Sequence, residues 1–277
     1  MNAGHDMSAW DAFAKDYVTW VEPHTSRNVL QLLDQLHLGV AGSLMEVGCA
    51  SGLAAALYTT QLGEGWSVAL VDGSAAMVRL ARGRLGPAVQ VQQGFLTNLP
   101  CVNSGMDAIL AHLVPMFPAD VDAAASECAR VLRPGGRLGL TVPGRLERSS
   151  LAAMIGAAQE RLGMSPPSAS TTSPPPPTPE ILIRALSRVG FSELAWWWDR
   201  LVFRLPSPED YGAMIQHSGG ARRAWFDGLS TDLRTRVVEE VVKLAAEQLR
   251  AGQVPADEIL GITATRELAQ AKSVRVG

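Results

Sequence analysis

The stretch SLMEVGCASG, residues 43–52, decides the fold. Its first half is apolar apart from Glu46 and predicts a buried strand, and the helical pattern LAAALYTTQL follows at 53–62. Between them, Gly48 and Gly52 predict a turn whose backbone can adopt positive φ. In an open α/β sheet, such a turn lies at the carboxyl end of a strand, where the first N–H groups of the next helix face a ligand.

Short apolar strands alternate with amphipathic helices as far as residue 142. The strands are predicted over 43–48, 66–72, 88–93, 106–113 and 137–142, and the helices between them over 53–62, 75–85 and 120–132. Such alternation indicates βαβ units and a parallel sheet covered on both faces. Further strands are predicted at 193–205 and 258–265. We therefore expect an α/β fold with a doubly wound, mostly parallel, seven-stranded Rossmann-like sheet and helical lid insertions.

The chain divides into four predicted regions. They are an N-terminal helical lid (1–40), a ligand-binding core (41–143), a helical and proline-rich insertion (144–178), and a completion of the sheet (179–277) with a lid insertion at about 207–256. The proline-rich part, SPPSASTTSPPPPTPE at 165–180, favours an extended polyproline spacer or lid hinge. A docking site for a proline-reading module is the alternative, but no basic residue flanks the run.

Composition excludes several classes of partner. The 277 residues carry a net charge of −3 without a basic stripe, which argues against nucleic acid. The three cysteines form no CxxC pair, so we expect neither a zinc site nor a disulfide framework. No apolar run approaches the roughly 18 residues that suggest a membrane span, and the polar start is unlike a signal peptide. We expect a cytoplasmic protein without a bound metal, either a monomer or a homodimer.

The spacing of the glycines distinguishes two kinds of ligand. A dinucleotide turn reads G-x-G-x-x-G and holds a pyrophosphate. Here Ala50 stands between Gly48 and Gly52, and Glu46 precedes them, so the turn favours a cationic ligand over a phosphate. Asp72 ends the second strand, where its carboxylate can accept hydrogen bonds from both hydroxyls of a ribose. A nicotinamide-dependent oxidoreductase remains the alternative for this fold.

Residues 43–142 resemble the class I S-adenosylmethionine-dependent methyltransferases, in particular the small-molecule group that includes the ubiquinone and menaquinone methyltransferases. Four segments carry the resemblance in order: EVGCASG at 46–52, Asp72 in VDGSAAMVRLAR, GFLTNLP at 94–100 and RVLRPGG at 130–136. The resemblance implies that S-adenosyl-L-methionine is the cofactor and that its contacts come from Tyr17, Glu46, Gly48, Cys49, Ala50, Gly52, Asp72, Gly73, Met77, Gly94, Phe95, Leu96, Ala111 and His112. Glu46 would hold the amino group of the methionine end and Asp72 the ribose.

Two residues depart from the family pattern. Ala50 replaces the middle glycine, and Phe95 replaces an acidic residue that bonds the adenine amino group. They leave open an alternative in which the protein binds the cofactor but catalyses a non-methylating reaction such as a cyclisation, or acts as a binding protein. The resemblance itself implies a methyltransferase for a hydrophobic small molecule in natural product biosynthesis, with O-methylation preferred over N- and C-methylation.

Three histidines are candidate catalytic residues. His112 follows the fourth predicted strand and is a candidate base, while His24 and His217 lie in the predicted lids. Simple lining of the pocket is the alternative for His112. In Trp196-Trp197-Trp198, alternate rings should face opposite sides of a strand, so that some of them lie in the core.

Overall fold

The computed structural model describes residues 7–114, 120–164, 175–217 and 220–268. Seven strands form one sheet in the order β3-β2-β1-β4-β5-β7-β6. Their bounds are β1 Gly42–Val47, β2 Trp66–Asp72, β3 Gln90–Gln93, β4 Met106–His112, β5 Leu132–Pro143, β6 Phe191–Val202 and β7 Ala256–Arg266. Strand β7 runs antiparallel to β5 and β6, and the other neighbours are parallel. The predicted seven-stranded, mostly parallel sheet is confirmed.

The helices cover both faces of this sheet and one end of it. Within the described residues they are α1 Ser8–Trp20, α2 Glu22–Gln35, α3 Leu53–Leu62, α4 Ala75–Leu85, α5 Val121–Val131, α6 Ser150–Arg161, α7 Pro179–Arg188, α8 Pro208–Gln216, α9 Gly220–Asp227 and α10 Thr231–Arg250. None of these helices combines the length and the apolar character needed to cross a bilayer. Part of the predicted polyproline segment, residues 165–174, lies outside the described residues.

The RPGG sequence at 133–136, which separates the helix predicted at 120–132 from the strand predicted at 137–142, is an irregularity inside β5. Pairing with β4 passes from Met106 opposite Leu132 to Ala108 opposite Arg137, so extra residues of β5 bulge out between the two pairs. Gly135 takes φ +81°, a value that favours glycine. The predicted change of direction is therefore present, but the strand begins before it rather than after it.

Two apolar layers cover the sheet, one on each face. On one face, Ile109 and Ala111 pack in a cluster with α5 and α7. On the other face, Leu44 and Leu110 pack in a cluster with α2, α3 and α4. Since side chains alternate along a strand, residues of one strand that differ by one position belong to opposite layers.

A third apolar cluster, called the lid cluster below, joins the sheet to the helical insertions. Its buried members are Leu151, Met154, Leu201, Phe203, Tyr211, Met214, Ala245 and Ile259. Trp20 from α1 and Leu113, just beyond β4, pack against it. The N-terminal helices, the end of β4 and the C-terminal insertions therefore meet in one apolar region.

The three tryptophans of β6 alternate as predicted. Trp197 packs against the layer that contains α2, with its indole over Gly261 of β7. Trp196 and Trp198 are 45% and 36% exposed, and their ring centroids are 6.1 Å apart. Only the middle ring of the three therefore contributes to the core.

Candidate functional site

The turn after β1 has three residues in left-handed backbone conformations. Gly48 and Gly52 have φ values of +74° and +75°, and Ala50 has +48°. A Cβ on Gly48 would lie 2.7 Å from Cγ2 of Val114, so there is also no room for a side chain at this position. An L-residue in this region costs about 1–2 kcal/mol, so the conformation of Ala50 needs support from its surroundings.

Asp72, at the end of β2, supplies that support. Its Oδ2 accepts a hydrogen bond from the Ala50 N–H at 2.9 Å, and its Oδ1 accepts one from the Ser74 N–H at 2.8 Å. The side chain is 8% exposed, and burial raises its pKa to about 6. Because each carboxylate oxygen has two lone pairs, both can still accept a hydrogen bond from a ligand.

Glu46 lies on β1 beneath the turn and is 2% exposed. Its Oε2 accepts a hydrogen bond from the Tyr58 hydroxyl of α3 at 2.7 Å. Burial raises the pKa of Glu46 to about 8, and the Tyr58 hydrogen bond opposes that rise. A cation bound beside this carboxylate would favour its ionised form.

A third buried carboxylate, Glu22 at the start of α2, was missed by the sequence interpretation. It is 3% exposed, and it accepts hydrogen bonds from the Ser51 N–H at 2.9 Å and from the Ser51 hydroxyl. Nη2 of Arg84 lies 3.8 Å from Oε2 of Glu22. The only sequence signal is an acid in the first turn of a helix, which ordinarily indicates a dipole interaction.

Helix α1 closes the other side of the site. Asp11 accepts hydrogen bonds from the Ser74 hydroxyl and from the Ala76 N–H, the latter at 3.0 Å, so it holds the start of α4. The Tyr17 hydroxyl lies 3.5 Å from Thr25 Oγ1. Burial, with a smaller contribution from the neighbouring carboxylates, raises the pKa of Tyr17 to about 12. The structure thus brings Tyr17 to the predicted site.

A surface cleft follows β3. It is lined by Gln93, Gly94, Phe95, Asn98 and Pro100. The Phe95 ring lies against Gly73, where a Cβ would be 2.9 Å from Phe95 Cε1. Residues 73, 94 and 95, all predicted as cofactor contacts, therefore lie together beside Asp72. Met77, one turn into α4, is 2% exposed.

Three predicted contact residues have side chains in the core instead. Leu96 and Ala111 belong to the layer of α5 and α7, and Cys49 belongs to the layer of α2, α3 and α4. Any contact of these three residues with the cofactor would therefore come from their backbone atoms, and their assignment to the cofactor site stays a prediction. The backbone of Cys49 ties the turn after β1 to β2, because its N–H donates a hydrogen bond to Val71 O at 3.1 Å.

His112 ends β4 and is 8% exposed. Its Nδ1 lies 2.7 Å from Thr141 Oγ1 on β5. Burial lowers the pKa of His112 to about 3, so the ring is neutral near pH 7. The prediction of His112 as a general base is therefore unsupported, because a base needs a pKa nearer the working pH.

The other two histidines have different neighbours. His24 packs edge-to-face on Phe203 with centroids 5.7 Å apart, and burial lowers its pKa. His217 stacks on Trp20, and its Nδ1 lies 3.2 Å from Asp16 Oδ2. Within the described residues, no hydrogen bond or ring contact joins either of them to His112.

The electrostatics of the site fit a cationic ligand. Three carboxylates are buried together, and no Lys or Arg of the described residues forms an ion pair with Glu46 or Asp72. Buried carboxylates without cations keep raised pKa values until a positive group arrives. A ligand with an ammonium or sulfonium group and ribose hydroxyls matches this donor set, whereas a pyrophosphate would be repelled.

Comparison with known proteins agrees with this geometry. Residues 44–136 match the family described as a methyltransferase domain. The chain is 27% identical over 248 residues to the nocamycin O-methyltransferase of Saccharothrix syringae, covering 83% of this chain and 86% of that one. It is also 33% identical over 114 residues to an uncharacterized 37.1 kDa transposon protein of Streptomyces fradiae, but spans only 33% of its length.

Solved structures share the fold at low sequence identity. A methyltransferase from Thermotoga maritima superposes with a TM-score of 0.56 at 20% identity, over 95% of this chain and all of that one. The [4+2]-cyclase SpnF superposes with a TM-score of 0.51 at 20% identity, over 88% and 82% of the two chains.

The fold, the acidic turn and the domain match agree on one class of protein: residues 44–136 carry a methyltransferase domain, and the features around it are those of an S-adenosylmethionine-dependent methyltransferase. The chain's cofactor is S-adenosyl-L-methionine. The predicted family and cofactor are thereby confirmed.

Proposed function

We propose that this protein transfers a methyl group from S-adenosylmethionine to an oxygen atom of a hydrophobic small molecule in specialised metabolism. The observation that carries the proposal is the position of the buried acidic turn next to the apolar lid cluster. Glu46 lies one residue before the end of β1, Asp72 ends the neighbouring β2, and Leu113 links the end of β4 to the lid cluster. A polar cofactor site and an apolar acceptor site thus adjoin at one edge of the sheet.

Within this proposal, the chain's own residues divide the binding of the cofactor. Asp72 accepts hydrogen bonds from the ribose hydroxyls, and Glu46 pairs with the amino group of the methionine end. Phe95 packs on the adenine in place of the usual acidic residue, and Tyr17 covers the site. When bound, the cofactor supplies an activated methyl group, so the protein mainly needs to align the reactants and exclude water.

The acceptor's character follows from the lid cluster. Its eight buried members include a phenylalanine, a tyrosine and two methionines and carry no ionised side chain, which favours an apolar or aromatic molecule. Oxygen is preferred as the methylated atom because the relative that matches most of the chain, from Saccharothrix syringae, is an O-methyltransferase. Methylation of nitrogen or carbon is less favoured by that likeness.

A cyclase is the second candidate. The fold is shared with the [4+2]-cyclase SpnF, and Ala50 and Phe95 depart from the pattern of methyl-transferring relatives. In that case the cofactor would bind without being consumed.

The test combines binding with turnover. The purified full chain is titrated calorimetrically with S-adenosylmethionine and with NADH, then incubated with S-adenosylmethionine and 2-naphthol, 1-phenyl-1,3-butanedione, decanoic acid or tryptamine. We expect binding of S-adenosylmethionine but not NADH, and O-methyl products with equimolar S-adenosylhomocysteine by mass spectrometry. Tight binding without any methylated product would favour the cyclase, and binding of NADH alone would refute both.

A further inference from the structure

A buried nitrogen at the end of β4 lacks a hydrogen-bond partner. Nε2 of His112 is enclosed, and no donor or acceptor within the described residues pairs with it. The whole side chain is 8% exposed. Leaving a buried polar atom unpaired costs about 1–3 kcal/mol, so such an atom in a binding site indicates a ligand that completes it.

The hydrogen bonds on the opposite side of the ring fix its tautomer. The Leu113 N–H donates to Thr141 Oγ1 at 2.9 Å, which uses the hydroxyl as an acceptor. The hydroxyl keeps one proton to donate, and Nδ1 of His112, at 2.7 Å, is the acceptor that the described residues offer. In a neutral imidazole, one nitrogen accepts and the other carries the proton. The network therefore assigns the proton to Nε2.

The position of the ring follows from strand pairing. Glu46 of β1 pairs with Leu110 of β4, and His112 lies two residues further along. Side chains two residues apart share a face, so Glu46 and His112 are diagonal neighbours on the same face of the sheet, about 7–8 Å apart. The next residue, Leu113, packs against the lid cluster. His112 thus lies on the strand between Leu110, which pairs with Glu46, and Leu113, which packs against the lid cluster.

We propose that His112 is a fixed hydrogen-bond donor that presents Nε2–H to an oxygen of the methyl acceptor, and that this acceptor arrives already ionised. The inference rests on the proposed methyltransferase function. The lone pair of the anionic oxygen forms the C–O bond, the C–S bonding pair leaves with sulfur, and no proton moves. The substrate class is therefore an acidic oxygen on an apolar body: a carboxylate, an enolate or a phenolate.

The surrounding charges are compatible with this role. Glu46 on β1 and Asp72 on β2 lie on the same face of the sheet as His112, Glu22 and His24 lie on α2, which packs on that face, and Tyr17 lies on α1. Burial lowers the pKa of His112 to about 3. The ring is therefore neutral at both pH 6 and pH 8 and takes up no proton between them.

The first experiment reads the tautomer without turnover. Long-range ¹H–¹⁵N spectra of the histidine-labelled full chain with bound S-adenosylhomocysteine are recorded from pH 5.5 to 8.5, with His112→Gln used for assignment. We expect a neutral ring with the proton on Nε2 throughout. Thr141→Val should mix the tautomers, and Thr141→Ser should preserve the one in the parent protein. A proton on Nδ1, or a titration within this range, would overturn the proposal.

The second experiment measures the donor's effect on the reaction, with decanoate and 2-naphthol as the acceptors. His112→Gln, which keeps an N–H donor but cannot act as a base, should lower kcat/KM about 3- to 10-fold. His112→Leu should lower it about 10- to 100-fold, chiefly by raising KM, because the donor binds the charged oxygen most strongly before methyl transfer neutralises that charge. The dissociation constant of S-adenosylhomocysteine should be unchanged in both variants.

The pH profile separates donor from base. With decanoate, which is ionised throughout pH 6–8.5, and with S-adenosylmethionine at saturating concentration, we expect a flat rate in the parent protein. With 2-naphthol, we expect the rate to follow the ionisation of the phenol. Equal losses in His112→Gln and His112→Leu, or weakened cofactor binding, would overturn the donor role. If no acceptor is methylated, the proposed function fails, while the tautomer measurement still decides the state of His112.

Discussion

At the scale of single residues, Asp72 connects two turns and a ligand site. Its oxygens hold the N–H groups of Ala50 and Ser74 and retain lone pairs for a ribose. We expect Asp72→Ala to weaken the binding of S-adenosylhomocysteine by about 1–3 kcal/mol, because a buried hydrogen-bonded pair is lost. Calorimetric titration measures this, with Asp122→Ala, whose side chain is 71% exposed on α5, as the matched control. An unchanged dissociation constant would contradict the ribose assignment.

Glu46 makes cofactor binding depend on pH. Its pKa is raised to about 8 in the free protein, so the carboxyl is mostly protonated at pH 7. An ammonium bound beside it stabilises the ionised form and lowers that pKa, so binding should release protons. We therefore expect the affinity for S-adenosylhomocysteine to rise from pH 6 to 7.5. Calorimetry in buffers of different ionisation enthalpy measures the proton release.

The control for that pH dependence is Glu46→Gln. This variant cannot titrate, and it keeps an oxygen that can accept the hydrogen bond from Tyr58. Its affinity should be lower at pH 7.5 and should depend on pH less than that of the parent protein, with the remaining dependence coming from Asp72, whose pKa is raised to about 6. If the variant releases as many protons as the parent protein, another group is responsible.

Much of the site could be predicted from individual residues. Glu46 and Asp72 follow from the acid, the glycines and the strand ends. The side chains of Leu96 and Ala111 could not be placed by motif alone, because a motif gives a position along the chain and not the face of the sheet. Ala111 shares its layer with Ile109, and the alternation of β4 already contained that information.

At the scale of elements, the first two helices hold the cofactor turns through carboxylates. Glu22 of α2 binds Ser51, and Asp11 of α1 binds the start of α4. No spacing rule predicts these contacts, since they join segments that are far apart in sequence. The helix bounds predicted at 53–62 and 75–85 agree with the structure, whereas the helices of the lid regions were predicted without bounds.

We expect the Glu22–Ser51 contact to be energetically coupled. Glu22→Ala removes a buried acceptor from two donors and should cost about 1–3 kcal/mol in the free energy of unfolding. In a double-mutant cycle with Ser51→Ala, the two losses should fall short of additivity by at least about 0.5 kcal/mol. Urea denaturation measures this. Strict additivity would show that the contact contributes little to the folded state.

At the scale of the whole molecule, residues from both halves of the chain pack together on one face of the sheet. Trp197 of β6 covers Gly261 of β7 and packs in the layer that also holds α2. The reversed direction of β7 could not be derived from the pattern of apolar residues, because periodicity identifies a strand but not its partner. Pairing across β5, β7 and β6 is a property of the assembled sheet.

A substitution at Gly261 tests this packing between the two halves of the chain. A methyl group at this position would overlap the Trp197 indole, so Gly261→Ala should lower the free energy of unfolding by about 1–3 kcal/mol. Because the layer spans the chain, circular dichroism and tryptophan fluorescence should report the same transition. Gly156→Ala on α6, where a Cβ meets no atom within 4 Å, is the matched control. Separate transitions for the two probes would show that the C-terminal strands unfold on their own.

The burial of the three carboxylates has a kinetic consequence. The side chains of Glu46, Glu22 and Asp72 are 2%, 3% and 8% exposed at the end of the sheet that α1 and α2 cover. The carboxylates that would hold the cofactor are therefore shielded from solvent in this conformation. We expect entry of the cofactor to require a movement of these two helices, so the association rate constant should lie below the diffusion limit. S-adenosylhomocysteine would have to leave by the same route, so we expect its release to limit the turnover rate.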